Sequence, residues 1–240
     1  MVSGTLAGLL VLLGVMSLYL LATSSLAPRL GADLTVYREA ADRWLSGGSY
    51  FYPEQLAGPY TVVNGHVLYP PVALVLFVPF TVLPAVLWWA VPLVIIAACV
   101  IRLRPSRWGW VGILALACWP YSVEIAWPGN PTIWITAILA AATRWPWASA
   151  FGLLKPSLFP FALAGIRTRA WWIALAIFAA ASLLFLPMWF DWLRAVTNAR
   201  GPFSGPLYSL KDLTWMAIPT VAWGSRRGGS GTSEPMPGIA

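Results

Sequence analysis

The chain has 240 residues, 59% of them hydrophobic and only 10% charged, with a mean hydropathy of +0.73. An ordinary soluble domain carries roughly 25% charged residues, so this apolar excess excludes a soluble core and points to an integral membrane protein. The net charge of +7 is scattered between apolar segments with no basic stripe, which excludes a nucleic-acid binder and fits membrane orientation and anionic lipid head groups.

Residues 6–26 form an almost unbroken apolar run, long enough to span a bilayer, and read as the first transmembrane helix. The run lacks the basic flank of a signal peptide, and further apolar segments follow it. The stretch 31–71 is the longest polar segment between strongly apolar ones. It holds four of the eight acidic residues (Asp33, Glu39, Asp42 and Glu54) and the only histidine, His66. Charge is expensive inside a bilayer, so the reacting groups are expected here, in water. Within it, 33–46 has helical spacing. Tyr37, Ala40, Ala41, Trp44 and Leu45 share one face, Arg38/Asp42 and Glu39/Arg43 form opposite-charge pairs on the other, and Gly47-Gly48 ends the pattern. Such an amphipathic helix is expected to lie flat on the membrane surface. Residues 49–68 read as loop.

Residues 71–83 are apolar but short and interrupted by Pro79, the pattern of a re-entrant or interfacial segment. Residues 85–101 form a second crossing that ends at Arg102, Arg104 and Arg107. The chain returns over 108–123, turns at Trp127-Pro128-Gly129-Asn130-Pro131, and runs back over 132–143 to Arg144. Two short apolar arms, 147–154 and 158–166, flank Lys155-Pro156, and 171–186 is the last clear crossing. Residues 190–211 read as a second polar loop, 213–223 as too short to span, and 224–240 as a disordered tail. Cys99 and Cys118 lie in apolar segments without metal-ligand spacing, and read as small buried apolar residues. With the basic turns in the cytoplasm the path makes about seven crossings, and the 31–71 segment, Asn130, Lys155 and the 190–211 loop meet on the outer side. The predicted class is an all-α polytopic protein whose residues 1–223 form one transmembrane module.

Five pieces of sequence in this order carry a family resemblance. Asp33-xxx-Tyr37-xx-Ala40-Ala41-xxx-Leu45-x-Gly47 is followed by Tyr50 or Tyr52, then by Tyr69-Pro70-Pro71, then by Gly129-Asn130-Pro131-Thr132 before an apolar helix, then by Gly152-Leu-Leu-Lys155-Pro156. Over residues 5 to about 215 the chain resembles glycosyltransferase family 87, the polyprenyl-phosphate-mannose-dependent mannosyltransferases of the membrane-embedded GT-C fold. Asn130 stands where that family usually has Gln, and Thr132 where it has Asn. The chain is also shorter, which marks it as a short or truncated member. The resemblance implies transfer of a hexose, mannose by analogy, from a polyprenyl-phosphate donor to a glycolipid or polysaccharide acceptor, in the plasma membrane with the site on the extracytoplasmic side. Its partners would be the donor, the acceptor and membrane lipids; no paired-carboxylate motif such as Asp-x-Asp occurs, which argues for metal-independent transfer, and no cofactor is expected.

The residues give this reading a chemistry. Inverting transfer needs a base to take the acceptor's hydroxyl proton, and Asp33 at the mouth of a lipid-facing pocket suits that role. Its competing role is to cap the helix that follows. Lys155, between two apolar arms, is costly unless it meets an anion, and the donor phosphate is one; the alternative is a snorkelling lysine. Glu124 either binds sugar hydroxyls or pairs with an arginine. His66 either assists as base or phosphate ligand or is incidental. Tyr37 and Tyr69 shape the loop, and Tyr69 is also placed to stack on a sugar. Asn130 is the remaining candidate substrate contact. Arg194, Arg200 and Lys211 either hold lipid phosphate or are surface charge. Two other function classes compete: a non-catalytic lipid-binding or assembly subunit, and a transporter, disfavoured because the charges gather at one surface rather than at mid-membrane.

Overall fold

The computed structural model describes residues 2–24, 29–63, 65–201 and 210–226. The chain is mostly helical, as its composition and periodicity predict. Helix α1 (Val2–Thr23) is followed by α2 (Ala32–Leu45), a short α3 (Pro53–Ala57), and a 3-10/α/3-10 run over 71–81 whose middle turn is α4 (Leu74–Phe77). Next come α5 (Leu87–Leu103), α6 (Arg107–Ala117), α7 (Pro120–Ala126) and α8 (Thr132–Ala142). Pro146–Leu154 is a 3-10 helix, after which α9 (Phe159–Ala162), α10 (Arg169–Leu183), α11 (Leu186–Asn198) and α12 (Leu213–Gly224) complete the order. Two-residue strands β1 (Tyr60–Thr61) and β2 (Ala199–Arg200) pair in parallel.

Among the described residues one continuous helical stretch, Gly4–Thr23, is long and apolar enough to cross a membrane. Two further spans exist if each bent pair counts as one: Arg107–Ala117 with Pro120–Ala126, bent by 59°, and Arg169–Leu183 with Leu186–Asn198, bent by 90°. Both bends fall where a proline restarts the helix. Pro120 and Pro187 occupy the first turns of α7 and α11, where their missing N–H costs nothing. The sequence 108–123 is therefore two helices bent by 59°, and α5, with 17 residues, is only about 25 Å long.

Two sequence expectations change. The 190–211 stretch is helical over its first part, because α11 extends to Asn198, and residues 202–209 lie outside the described residues. Residues 49–68 contain α3 and β1 and bury Tyr50 and Phe51, so the segment is folded onto the helices rather than looped off them. Most of the expected tail, 227–240, lies outside the described residues.

Helix α2 begins and ends where its spacing predicts, but its apolar face meets protein. Leu34, Tyr37, Ala40 and Ala41 are buried in the main core, with Tyr37 stacked on Phe77 at 4.6 Å. The predicted charge pairs along its other face do not form. Arg38 donates instead to the Thr81 carbonyl, while Arg43 donates to the Ser49 and Tyr50 carbonyls and to the Tyr52 hydroxyl. Backbone carbonyls of neighbouring segments offer these guanidinium groups fixed acceptors, whereas an exposed pair on one helix contributes only about 0.3–0.5 kcal/mol.

Helix direction sets which ends meet. The Ser106 N–H donates to the Ser225 carbonyl, and Pro105 bridges to Arg226, so the start of α6 lies against the end of α12. That end of the bundle carries Arg102, Arg104, Arg107 and Arg226. At the other end, Trp88 Nε1 donates to the Gly129 carbonyl and Trp89 Nε1 to the Ala126 carbonyl, so the start of α5 grips the turn between α7 and α8.

Candidate active site

The turn 127–130 receives the start of α2. The N–H of Gly31 donates to the Trp127 carbonyl, and those of Asp33 and Leu34 both donate to the Pro128 carbonyl. These donors at the head of a helix have no partner within it, and the turn supplies one. Gly129 makes the approach possible. It has a φ of 84°, and a Cβ there would lie 3.1 Å from Trp89, 3.2 Å from the Trp88 indole nitrogen and 3.3 Å from Leu34.

This arrangement decides one alternative. Asp33 does not cap its helix: the cap position is Gly31, in the left-handed region, and no side chain bonds there. The Asp33 carboxylate instead accepts a hydrogen bond from Asn130 Nδ2, at 3.2 Å to Oδ2, the single bond its side chain makes among the described residues. Asn130 has its orientation imposed from behind. Its Oδ1 accepts from the Thr132 N–H at 3.1 Å and from Lys155 Nζ at 3.3 Å, and the Thr132 hydroxyl lies at 2.7 Å. Oδ1 must therefore face inward, which aims the amide N–H at Asp33.

Lys155 follows a nine-residue 3-10 helix and precedes Pro156. A 3-10 run of that length is unusual, and Pro156 ends it just after Lys155. The two arms close tightly, with Gly165 against the Pro146 carbonyl where no Cβ fits, and with Ser149 and Trp171 both donating to the Ala162 carbonyl. The link between them presents the Lys155 ammonium to three acceptors: Asp212 Oδ2 at 2.8 Å, Thr132 Oγ1 at 2.8 Å and Asn130 Oδ1 at 3.3 Å. Two of these are hydrogen bonds and the contact with Asp212 is an ion pair, so the ammonium is enclosed by oxygen acceptors. Lys155, Asp212, Thr132 and Asn130 are all buried. The Thr132 hydroxyl also lies 3.0 Å from Asp212 Oδ1; with one hydrogen it donates to Asp212 or Asn130, one at a time, while accepting from Lys155.

Asp33 itself is half-buried at the edge of this cluster. Burial pushes its pKa above the ordinary carboxylate value; the Asn130 hydrogen bond and the charges of Lys155 and Lys211 draw it partly back. The result is a carboxylate that is accessible, oriented by one amide, and more basic than an exposed aspartate.

Next to it lies an apolar groove of about 570 Å³. Leu30, three residues before Asp33, and Trp127, whose carbonyl holds Gly31, both line it, with Leu18 of α1, Val123 of α7 and Trp215 of α12 among the other walls.

The remaining sequence candidates divide. Tyr69 belongs to the cluster, its ring centroid 5.8 Å from Lys155 Nζ. Tyr37 packs behind it, edge-on to Tyr69 at 5.4 Å, as core. Glu124 stands 3.6 Å from Lys211. His66 is brought elsewhere: its Nε2 lies 3.5 Å from Glu54, its Nδ1 accepts from the Val63 N–H, and its ring meets Tyr60 edge-on. None of those partners belongs to the Asp33 cluster. Two members of the cluster escaped the sequence reading, Thr132 as a side-chain ligand and Asp212. A signal for Asp212 existed, since a buried lysine requires a counter-charge and few acids lie outside 31–71.

Comparison with protein-family models, curated proteins and solved structures found no match to this chain.

Proposed function

We propose that this chain is a polytopic membrane glycosyltransferase of GT-C type that moves a hexose from a polyprenyl-phosphate donor to an acceptor hydroxyl on the outer side of the membrane, with Asp33 as general base. The observation that carries the reading is the state of Asp33. A carboxylate released from helix capping, held by an oriented amide, raised in pKa by burial and set beside an apolar groove suits proton abstraction next to a lipid. The Asp33 carboxylate takes the acceptor's O–H proton, and the acceptor oxygen bonds to the anomeric carbon. The bond from that carbon to the phosphate oxygen breaks, and polyprenyl phosphate leaves with the electron pair. Asn130 aims the carboxylate. Lys155 holds Asn130, and its positive charge, compensated by Asp212, is available to the leaving phosphate as field rather than as direct contact.

A second reading, a lipid-binding assembly subunit, draws on one observation: the Lys155 ammonium is buried against two hydrogen-bond acceptors and a paired carboxylate, as in a locked structural core. The deciding experiment uses the purified full chain in lipid nanodiscs with radiolabelled polyprenyl-phosphate-mannose and a membrane glycolipid extract. Transfer by wild type that falls about 100-fold or more in Asp33→Asn supports the enzyme. Transfer unchanged in Asp33→Asn removes Asp33 as base, and no transfer by wild type favours the assembly subunit.

A further inference from the structure

Arginine gathers at the end of the bundle opposite the Asp33 cluster, with no acid to balance it. Arg102 and Arg104 lie at the end of α5, Arg107 begins α6, and Arg226 follows α12. No acidic residue occurs over 55–123 or 213–226, so none of these three helices carries one. All four side chains are exposed, and among the described residues none of them makes a hydrogen bond or an ion pair. Arg38 and Arg43, by contrast, satisfy their donors on backbone carbonyls.

The corner that carries these charges is built. Pro105 bridges to Arg226, and the Ser106 N–H donates to the Ser225 carbonyl at 2.8 Å. Gly109 packs against Ser225 where no Cβ fits, which lets the start of α6 close on the end of α12. Residues paired across such a bridge have Cα atoms about 4.5–5.5 Å apart, so Arg104, Arg107 and Arg226 share one small patch of backbone. The Arg226 guanidinium lies over the Trp223 ring, 4.6 Å from its centroid. Arg104 is the one non-glycine residue with a positive φ, 51°, among the described residues. That conformation is relaxed for glycine and strained for arginine.

The single continuous span among the described residues sets the depth of this corner. Gly14, midway along Gly4–Thr23, packs on Cys118 at the end of α6, where a Cβ would lie 2.9 Å from the Cys118 Sγ. Beyond Cys118 the chain enters α7, whose Val123, Ala126 and Trp127 line the groove with Leu18 and Leu30 toward the Asp33 end. The 11 residues of α6 therefore run the other way, about 16 Å from the level of Gly14 to Arg107. Half of a hydrocarbon core of about 30 Å is about 15 Å, so the corner stands where lipid phosphates begin. Trp108 and Trp223, both exposed, stand beside it, as indole rings do at that interface.

We propose that Arg104, Arg107 and Arg226, with Arg102 beside them, bind a phospholipid that carries two phosphodiester groups, in the leaflet opposite the Asp33 cluster. A guanidinium fits a phosphate through two parallel N–H···O bonds. One phosphodiester brings a single negative charge and leaves at least two of these arginines uncompensated. A second on the same molecule binds at high effective concentration once the first is seated. The Trp108 and Trp223 rings give the glycerol and the first methylenes an apolar support. The depth of the corner selects a lipid over a soluble acidic partner.

The test counts lipids bound to the full chain by native mass spectrometry from detergent micelles. The probes are tetraoleoyl cardiolipin and, at matched phosphate, dioleoyl phosphatidylglycerol. Cardiolipin should half-saturate at a concentration about fivefold lower or more. In Arg104→Gln/Arg107→Gln its half-saturating concentration should rise about tenfold. Arg167→Gln/Arg169→Gln removes two exposed arginines outside the corner and should change it less than about threefold. Arg104→Gly relaxes the left-handed backbone, so it should melt no lower than wild type while still weakening cardiolipin, which separates lost charge from lost fold. Unchanged half-saturation in Arg104→Gln/Arg107→Gln, an equal loss in Arg167→Gln/Arg169→Gln, equal binding of phosphatidylglycerol, or displacement by inorganic phosphate would each overturn the site. Binding of this pattern by a chain that transfers no sugar would leave the site standing, because it does not rest on the glycosyl-transfer reading.

Discussion

Asp33 and Lys155 illustrate how a single charge takes its role from its neighbours. With Gly31 at the cap position and the Pro128 carbonyl accepting from the first turn, Asp33→Asn removes no cap. An Asn there still offers an oxygen to Asn130 Nδ2, so folding should survive. The stability sign follows from the raised pKa. The folded chain holds the Asp33 proton more tightly than the unfolded chain. The Asp33 contribution is therefore most favourable below the ordinary carboxylate pKa of about 3.9, and declines as pH rises through the raised value. At neutral pH the ionised carboxylate costs stability, and Asp33→Asn should melt no lower than wild type while losing transfer. The same shift predicts that the acid limb of kcat/KM rises with a midpoint above about 3.9; Asn130→Ala, which deletes a bond that favours the charged form, should move it higher still. Lys155 requires a different design. Removing one member of a buried pair costs about 3–5 kcal/mol, so Lys155→Met alone should fold poorly. Lys155→Met with Asp212→Leu leaves no unpaired charge and should restore the melting temperature. A double variant as unstable as the single would show that the pair does more than cancel itself.

At the scale of elements, the site depends on a turn and on the helices that grip it. Gly129 combines a left-handed backbone with close contacts to Trp88, Trp89 and Leu34 that a Cβ would crowd. Gly129→Ala should lower stability by about 1–3 kcal/mol and loosen the start of α2 along with the turn, read as faster amide exchange at Asp33 and Leu34. Helix α2 was legible from its periodicity to within a residue at each end. Its burial was not, because an apolar face at helical spacing fits lipid and protein equally well. The extent of α11 was missed for a related reason. Its polar residues suggested a loop, yet Trp192 Nε1 bonds the Leu68 carbonyl and Asn198 Nδ2 the Gln55 carbonyl, tertiary contacts that hold the helix in place.

At the scale of the molecule, polar chemistry and basic turns occupy opposite ends of the bundle. The Asp33 cluster lies where α8 and α12 begin, while Arg102, Arg107 and Arg226 lie where α5 and α12 end and α6 begins. In a background lacking Cys99 and Cys118, Ala57→Cys should react with an impermeant thiol reagent on whole cells and Arg107→Cys should react only after lysis. The reverse pattern would turn the proposed site toward the cytoplasm. The sequence by itself determined the helical class, the extent of α2 up to Gly47-Gly48, and the residue types at Asp33, Asn130, Lys155 and Tyr69, because periodicity and the cost of apolar burial of charge are local properties. Only the tertiary structure decided what those residues do. Asp212 reaches Lys155 and Thr132 across a sequence separation of 80 from Thr132, and Asn130 reaches Asp33 across 97. A carboxylate's role as cap, counter-ion or base is set by the partner that arrives, and no local pattern along the chain records which partner that will be.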